Sequence, residues 1–386
     1  MSTYTGKVLN GFGELVGSGL EVDGSGVVVN ILPVTETLPE GWITPGLIDI
    51  HNHGGGGASF PDDTTPEGTA TAVEAHRCMG TTALVASTVS LIDPLPAIRN
   101  LVLACESGDL IGIHLEGPYI SKHKCGAQNP AAIRNPDLDE LRSWLEAGKG
   151  WIKTMTIAPE VENAYGAACM LLDHGALPSW GHTSGTSATA RDLIERTTEY
   201  GRSIGIDVPQ TATHLFNAMP TLAHREPGPV RELIKAATRG DAVVELVADT
   251  VHVNADLVGD VVAVIENSGQ KAGVAWVTDA MAGAGMADGD YVLGSQAVTI
   301  EGGVARLTEG GAIAGGTSRL AEQIARMVGG GHTTMESAVR CCVAGPAHAL
   351  GLDGSEAGVT LDFVVGQKAN FVVFTEDLAM ETFQRV

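Results

Sequence analysis

The stretch PGLIDIHNHG at residues 45–54 contains the pattern that decides the fold of this chain. It is a short apolar run that ends in polar residues, His51-Asn52-His53. Seven further apolar runs of strand length follow it, with helical patterns between most of them. The eight predicted strands cover residues 47–51, 81–88, 110–116, 152–158, 177–182, 211–215, 242–249 and 273–279.

The segments between these strands predict the helices of an alternating fold. Thr65-Pro66-Glu67 opens one helix, because Thr suits the capping position and Pro the first turn. The other predicted helices cover residues 137–148, 160–174, 187–201, 230–239, 255–267, 318–328 and 333–349, and residues 294–311 form a hairpin excursion. Eight successive strand–helix units predict an α/β chain folded as a (β/α)8, TIM-like barrel.

Both chain ends have a different character. Residues 1–46 and 356–386 contain short strand patterns separated by glycine-rich turns. We therefore predict two domains, a small β-sandwich built from 1–46 and 356–386, and a barrel over 47–355.

The composition of the chain excludes some classes of binding partner. The chain has 386 residues and a formal net charge of −23, which argues against nucleic acids and anionic membranes as partners. It does not exclude a small anionic substrate held by a few local groups. The N-terminus lacks an apolar signal-peptide core, and the six cysteines contain no Cys-x-x-Cys pair. These features predict a cytoplasmic protein with reduced thiols.

Residues of metal-ligand type recur where the predicted strands end. They are His51, His53, Glu116, His182, His214, Asp249, His252 and Asp279. In a barrel, the carboxyl ends of all strands meet at one mouth, where the site lies. Each residue alone has an ordinary explanation: a solvated loop histidine, a salt-bridged carboxylate or a buried histidine with a partner. Together they predict a metal site, because His51 and His53 leave one face of a strand and imidazole and carboxylate suit a divalent ion.

Asp279, in TDAMAGAG, is the candidate acid/base. A carboxylate beside a metal can accept a proton from water and pass it to a leaving amine. The alternative is a structural aspartate that caps the glycine-rich turn.

Six segments in this order resemble the amidohydrolase superfamily, and within it the family of N-acetylglucosamine-6-phosphate deacetylases. They are PGLIDIHNHG, HLEGPYIS, GHTSGT, THLFNAMP, ADTVHV and TDAMAGAG. VGQKANFVVF near the end also resembles the closing strand of the superfamily. The resemblance spans nearly the whole chain.

The resemblance implies roles for individual residues. Glu116, His182 and His214 match the core metal ligands of the family. His51 and His53 match the second-metal pair of the superfamily, and Asp279 its acid/base at the metal. The implied substrate-binding residues are Gln128, Asn217, Ala218, Arg225 and His252, of which Arg225 and His252 match phosphate binders.

Two departures from the family pattern affect these expectations. Many members carry amides where this chain has His51 and His53, so this chain is expected to hold one or two ions, most simply zinc. The family also commonly has a histidine where this chain has Gln128, which can donate a hydrogen bond but cannot become positively charged. Cys125 lies on the same segment, and an ordinary loop thiol is its simpler interpretation.

The resemblance implies metal-dependent deacetylation of N-acetylglucosamine 6-phosphate in amino-sugar catabolism and cell-wall recycling. It also implies a homodimer with a phosphate site shared across the interface. Two alternatives stay open. One is another amidohydrolase acting on a related N-acyl sugar or amide, and the other is an inactive sugar-phosphate-binding protein.

Overall fold

The computed structural model describes all residues, Met1–Val386, and confirms the barrel. Eight parallel strands form one sheet in which sequential strands are neighbours. They are Leu47–Asn52, Thr81–Thr88, Gly112–Glu116, Ile152–Ile157, Leu177–Trp180, Gln210–Ala212, Ala242–Val247 and Val274–Val277. A backbone bridge between Asn52 and Ala280 joins the first strand to the residues after the eighth, so the ring of strands closes at its mouth.

Helices surround this ring. They are Pro66–Arg77, Leu95–Glu106, Leu138–Gly148, Ala164–Asp173, Ser187–Ser203, Gly228–Arg239, Ala255–Asn267 and Leu320–Gly329, with a 3-10 turn at Lys122–Lys124. The Thr65 side chain accepts a hydrogen bond from the Gly68 N–H, which confirms the predicted cap. Leu95–Glu106 was not predicted, and it begins after Pro94 without any side-chain cap. None of the helices combines the length and the hydropathy needed to span a bilayer.

The last helical region departs from the single helix predicted over 333–349. It consists of Met335–Val339, a π-helical turn at Arg340–Ala344 and a final helix, Gly345–Leu350. Gly345 lies against the backbone of the eighth strand, where an added Cβ atom would come within 1.8 Å of the Val274 carbonyl oxygen. The final helix therefore packs on the barrel through a position that only glycine fits.

Five strands end earlier than the sequence predicts, and for three of them the shift places a predicted metal-ligand or acid/base residue beyond the strand. The fifth, sixth and eighth strands stop at Trp180, Ala212 and Val277. The polar residues that follow have left-handed backbone conformations, with φ of 45° at His182, 27° at His214 and 48° at Asp279. Their side chains are thus presented from tight turns over the mouth, not from the strands themselves.

The two chain ends meet in one six-stranded sheet. Its strands are, in spatial order, Met380–Gln384, Phe371–Phe374, Trp42–Pro45, Ser2–Leu9, Leu15–Val22 and Val28–Leu32. Along Phe371–Phe374, Phe371 and Val373 belong to a small core of this sheet, while Val372 and Phe374 pack into the barrel core. The exact domain boundaries at 46 and 356 stay a prediction.

The excursion after the eighth strand is a three-stranded antiparallel sheet. It comprises Gly289–Leu293, Gln296–Glu301 and Val304–Leu307, so it starts earlier and has one strand more than the predicted hairpin. A separate small core holds it beside the mouth, and this core includes Met281, Leu293 and Val298.

Gly345→Ala should destabilise the protein by about 1–3 kcal/mol, because the new methyl group meets rigid backbone that can move only at the expense of the barrel. The midpoint of urea unfolding measures this. Gly24→Ala is the matched control, since nothing lies within 4 Å of its added Cβ atom. Equal midpoints for both variants would show that the final helix shifts freely.

Candidate metal centre and active site

Glu116 lies at the centre of the mouth and joins two groups of metal-ligand type. It ends the third strand, and only 2% of its surface is exposed. Its Oε1 atom lies 2.8 Å from Nε2 of His182 and 2.9 Å from Nε2 of His214. These three residues offer ligand atoms from three different strand ends and form the first trio.

In the second trio, His53 lies beside the other oxygen of the same carboxylate. Oε2 of Glu116 lies 3.2 Å from Nε2 of His53, and Nε2 of His53 lies 3.2 Å from Nε2 of His51. His51, His53 and Glu116 therefore form a second trio with Glu116 as the shared member. A carboxylate with one oxygen in each group is the arrangement that can bridge two ions.

In His51 and His182, a hydrogen bond at Nδ1 determines that Nε2 is the nitrogen that faces the site. Nδ1 of His51 lies 2.9 Å from the Glu245 carboxylate, and Nδ1 of His182 lies 2.8 Å from the Lys124 carbonyl oxygen. Both partners can only accept, so each Nδ1 carries the proton and donates it. In the neutral rings Nε2 then presents a lone pair to the centre, as metal-ligating histidines do.

The donor set fits a divalent cation. Nε2 atoms of His182 and His214 face each other at 3.0 Å, a distance at which two lone pairs repel unless a proton or a cation lies nearby. Nδ1 of His53 and Nδ1 of His214 are buried without a hydrogen-bond partner. Imidazole and carboxylate groups in trios of this kind suit zinc and similar ions.

Buried carboxylates raise the pKa values of the two imidazoles of the second trio, His51 and His53. Burial disfavours charge on His51, but Glu245, Asp279 and Glu116 outweigh it and raise its pKa to about 9. Burial likewise opposes charge on His53, yet hydrogen bonds to Asp279 and Glu116 raise its pKa to about 10. Without a cation, protons would therefore occupy both rings at neutral pH.

Asp279 lies above both trios, at the turn after the eighth strand. Its Oδ1 atom lies 3.1 Å from Nε2 of His53 and 3.5 Å from Nε2 of His51. Burial opposes ionisation, but His53 and the other rings hold the pKa of this carboxyl below its ordinary value. Asp279 is thus an ionised carboxylate with its oxygens at the centre, and it can accept a proton there.

A cavity of about 260 Å³ opens over these groups. Among the residues predicted from the sequence, those that line it are His53, Glu116, Gln128, His182, His214, Asn217, Ala218, His252 and Asp279. His51 lies fully buried beneath them. Nε2 of His252 lies 3.8 Å from Asp279, and its Nδ1 lies 2.7 Å from the Asp249 carboxylate.

Gln128 and Arg225, both predicted to contact the substrate, have different neighbours from those expected. The Gln128 amide donates to Oε2 of Glu116 at 2.5 Å, and its oxygen accepts from the Ser90 N–H. Its amide group is thus already engaged on both sides, by Glu116 and by the Ser90 backbone. Arg225 is exposed on the segment between the sixth strand and the next helix, and it does not line the cavity. Cys125 is half-buried and does not line it either.

Two features of the site were not predicted from the sequence. They are Glu245 and the apolar part of the cavity lining. Glu245 is the single charged residue in the strand Ala242–Val247, and a lone carboxylate within AVVELV was the available indication. Leu293 and Ile313 line the cavity from the three-stranded excursion and its return segment. No spacing rule relates these apolar residues to the ligands.

Comparisons with known proteins agree with this geometry. Residues 42–385 match the model of the amidohydrolase family. The N-acetylglucosamine-6-phosphate deacetylase of Bacillus subtilis (strain 168) is 30% identical over 347 residues, 87% of this chain and 81% of that protein. The N-acetylgalactosamine-6-phosphate deacetylase of Escherichia coli O157:H7 is 29% identical over 337 residues, 85% of this chain and 84% of that protein.

A similar solved structure is a mutant of N-acetyl-D-glucosamine-6-phosphate deacetylase from Mycobacterium smegmatis in complex with N-acetyl-D-glucosamine-6-phosphate. The two chains are 32% identical with a TM-score of 0.85, and the likeness covers 99% of this chain and 97% of that one. It therefore includes the small sheet as well as the barrel.

Binding of Zn²⁺ to metal-free protein should release protons at pH 7–8. Below pKa values of about 9 and 10, His51 and His53 are protonated without metal, and an ion must displace those protons. Affinity for the ion that these rings hold should therefore rise with pH until about pH 9–10. Calorimetric titration in buffers of different ionisation enthalpy counts the protons.

The matched variant replaces both His51 and His53 with Asn. It should bind one ion fewer at saturation and release fewer protons. The same number of bound ions in both proteins would show that these two rings hold no ion of their own.

Proposed function

The chain belongs to the amidohydrolase family, and from that premise we propose that it hydrolyses the acetamide of N-acetylglucosamine 6-phosphate to glucosamine 6-phosphate and acetate. The observation that carries the proposal is the ionised Asp279 facing two ligand trios joined by Glu116 in one cavity. Relatives named as deacetylases of amino-sugar phosphates support the substrate class. The reaction belongs to amino-sugar catabolism and cell-wall recycling.

We assign the metal to the two trios. Glu116, His182 and His214 hold the first ion, and His51 and His53 with the same carboxylate hold a second. Zinc is the proposed metal, because imidazole and carboxylate ligands suit it. A bound divalent ion supplies Lewis acidity towards the acetamide carbonyl and towards water.

Asp279 moves the proton in this proposal. As an ionised carboxylate it accepts a proton from the attacking water as the new carbon–oxygen bond forms. It then donates that proton to the sugar nitrogen as the carbon–nitrogen bond breaks. Its left-handed backbone and its short distance to His53 keep its oxygens over the reacting group.

In this proposal the substrate lies across the cavity, with its acetamide at the ligand trios and its phosphate at a separate part of the lining. Asn217 and Ala218 line the cavity together with His182 and His214, and we propose that their backbone contacts the sugar phosphate. We propose that His252, which lines the cavity 3.8 Å from Asp279, contacts the bound sugar phosphate, the role that the resemblance implies for it.

Arg225 completes the phosphate site from another subunit in this proposal. It is exposed in the single chain and lies outside the cavity, which suits a side chain that reaches a neighbouring active site. An arginine can hold phosphate through two parallel hydrogen bonds, which matters for a chain of net charge −23. We therefore propose a homodimer that works in the cytoplasm on a small sugar phosphate.

Acetate release from a panel of substrates decides between the alternatives. Activity on N-acetylglucosamine 6-phosphate that a chelator abolishes supports the proposal. Faster release from N-acetylgalactosamine 6-phosphate or from another N-acyl sugar would shift the assignment to that substrate. Tight binding of the sugar phosphate without acetate release would support an inactive binding protein.

Asp279→Asn should bind substrate but lose about 10²- to 10⁴-fold in turnover, the usual contribution of a positioned acid/base. Steady-state kinetics of acetate release measure the loss. Asp353→Asn, at an exposed turn, is the control and should keep normal turnover. Near-normal turnover in Asp279→Asn would remove this residue from the proton transfer.

Arg225→Ala should raise the Michaelis constant for the phosphorylated sugar and leave any activity on the unphosphorylated sugar unchanged. Losing one charge-assisted hydrogen bond costs about 1.5–3 kcal/mol, roughly 10- to 100-fold in binding. Arg99→Ala, an exposed arginine outside the cavity, is the control.

Mixing Arg225→Ala subunits with Asp279→Asn subunits tests the shared site, because one site of each mixed dimer would then be intact. No recovered activity, with subunit exchange demonstrated, would place Arg225 in the site of its own chain.

A further inference from the structure

Glu245 is a buried carboxylate that lies directly beneath the metal-ligand trios. It belongs to the seventh strand, Ala242–Val247, where every residue is buried, and only 1% of its own surface is exposed. Burying an ionised carboxylate is costly unless hydrogen bonds or opposite charges compensate. The hydrogen-bond partners of Glu245 therefore indicate its role.

One oxygen of this carboxylate holds a member of each trio. Oε2 accepts a hydrogen bond from Nδ1 of His51 at 2.9 Å and another from the His214 backbone N–H at 3.1 Å. We propose that Glu245 is a positioning residue that fixes His51 and His214 as ligands and so sets the geometry of both ion sites together. This inference rests on the proposed metal-dependent function.

His51 depends on this contact for its ligand form. The hydrogen bond keeps the proton of the ring on Nδ1, which leaves Nε2 to face Glu116 and Asp279. A carboxylate partner also makes the imidazole a stronger donor to a metal. Without Glu245 the ring could bind its proton on either nitrogen.

His214 depends on Glu245 through its backbone. Its Nδ1 atom has no hydrogen-bond partner, so nothing on the far side of the ring orients it. Its φ of 27° is unfavourable for a residue with a side chain and persists only where neighbours hold it. Glu245 holds this turn twice, because its backbone carbonyl also accepts from the Leu215 N–H at 2.8 Å.

Two substitutions separate the charge of Glu245 from its hydrogen bonds. Glu245→Gln keeps an acceptor for His214 but loses the negative charge that acts on His51. It should weaken mainly the ion that His51 holds, by about tenfold. Glu245→Leu removes both hydrogen bonds and should weaken both ions, by about 10- to 100-fold, the usual loss when a partner of a metal ligand is removed.

The measurement is a titration of metal-free protein with Zn²⁺ against a chromophoric chelator, which reports each affinity independently of turnover. Glu266→Gln is the matched control. That carboxylate is also mostly buried, but it pairs with Arg340 at 2.7 Å and lies outside the cavity. It should lower the melting temperature and leave both zinc affinities unchanged.

Unchanged zinc affinities in both Glu245 variants would overturn the positioning role. If Glu245→Leu does not fold, Glu245→Gln alone decides, since it must weaken the ion at His51 for the inference to stand. A wild-type protein that binds no zinc would instead overturn the proposed metal site itself. The two failures are therefore distinguishable in one experiment.

Discussion

The mouth of this barrel depends on a carboxylate, Glu116, buried within hydrogen-bond distance of three imidazoles. Such a cluster is stable only when charges of both signs are present, because an isolated buried charge is expensive. His182 and His214 approach each other at 3.0 Å through nitrogens that cannot both carry a proton. A divalent cation would remove this repulsion and compensate the carboxylate at once, which supports the proposal that the cluster is an ion site.

The backbone around the cluster is strained, and hydrogen bonds from other parts of the barrel hold it in place. His182, His214 and Asp279 all have left-handed conformations, each of which costs of order 1–3 kcal/mol. Each of these turns is hydrogen-bonded to another strand or to the segment that follows one. Asp279 donates its N–H to the His51 carbonyl oxygen at 2.9 Å, and the His182 carbonyl oxygen accepts from Ser121 at 2.9 Å. The stability of the closed barrel therefore maintains the geometry of the site.

The sequence predicted the barrel and most of the cavity lining because both follow from local rules. Apolar runs end in ligand-type residues, and the barrel brings those ends together. It did not predict the helix Leu95–Glu106, which lacks a capping signal. It also could not show that Gln128 holds Glu116, or that Glu245 lies under two trios, because such contacts depend on tertiary packing. The place where Arg225 would act in the proposed dimer likewise could not be read from one chain.

The acidity of the chain and an anionic substrate are compatible only if the site is locally positive. Glu116, Glu245 and Asp279 place three carboxylates at the centre, and together they would repel a sugar phosphate. Two divalent ions would more than balance these three carboxylates, and so would one ion together with protonated His51 and His53, whose pKa values are raised to about 9 and 10. His252, whose pKa Asp249 raises against the effect of burial, pairs with that carboxylate at 2.7 Å, so the two together add no net charge. The amides that many family members carry would add no charge here, whereas His51 and His53 add positive charge either as protonated rings or as ligands of the proposed second ion.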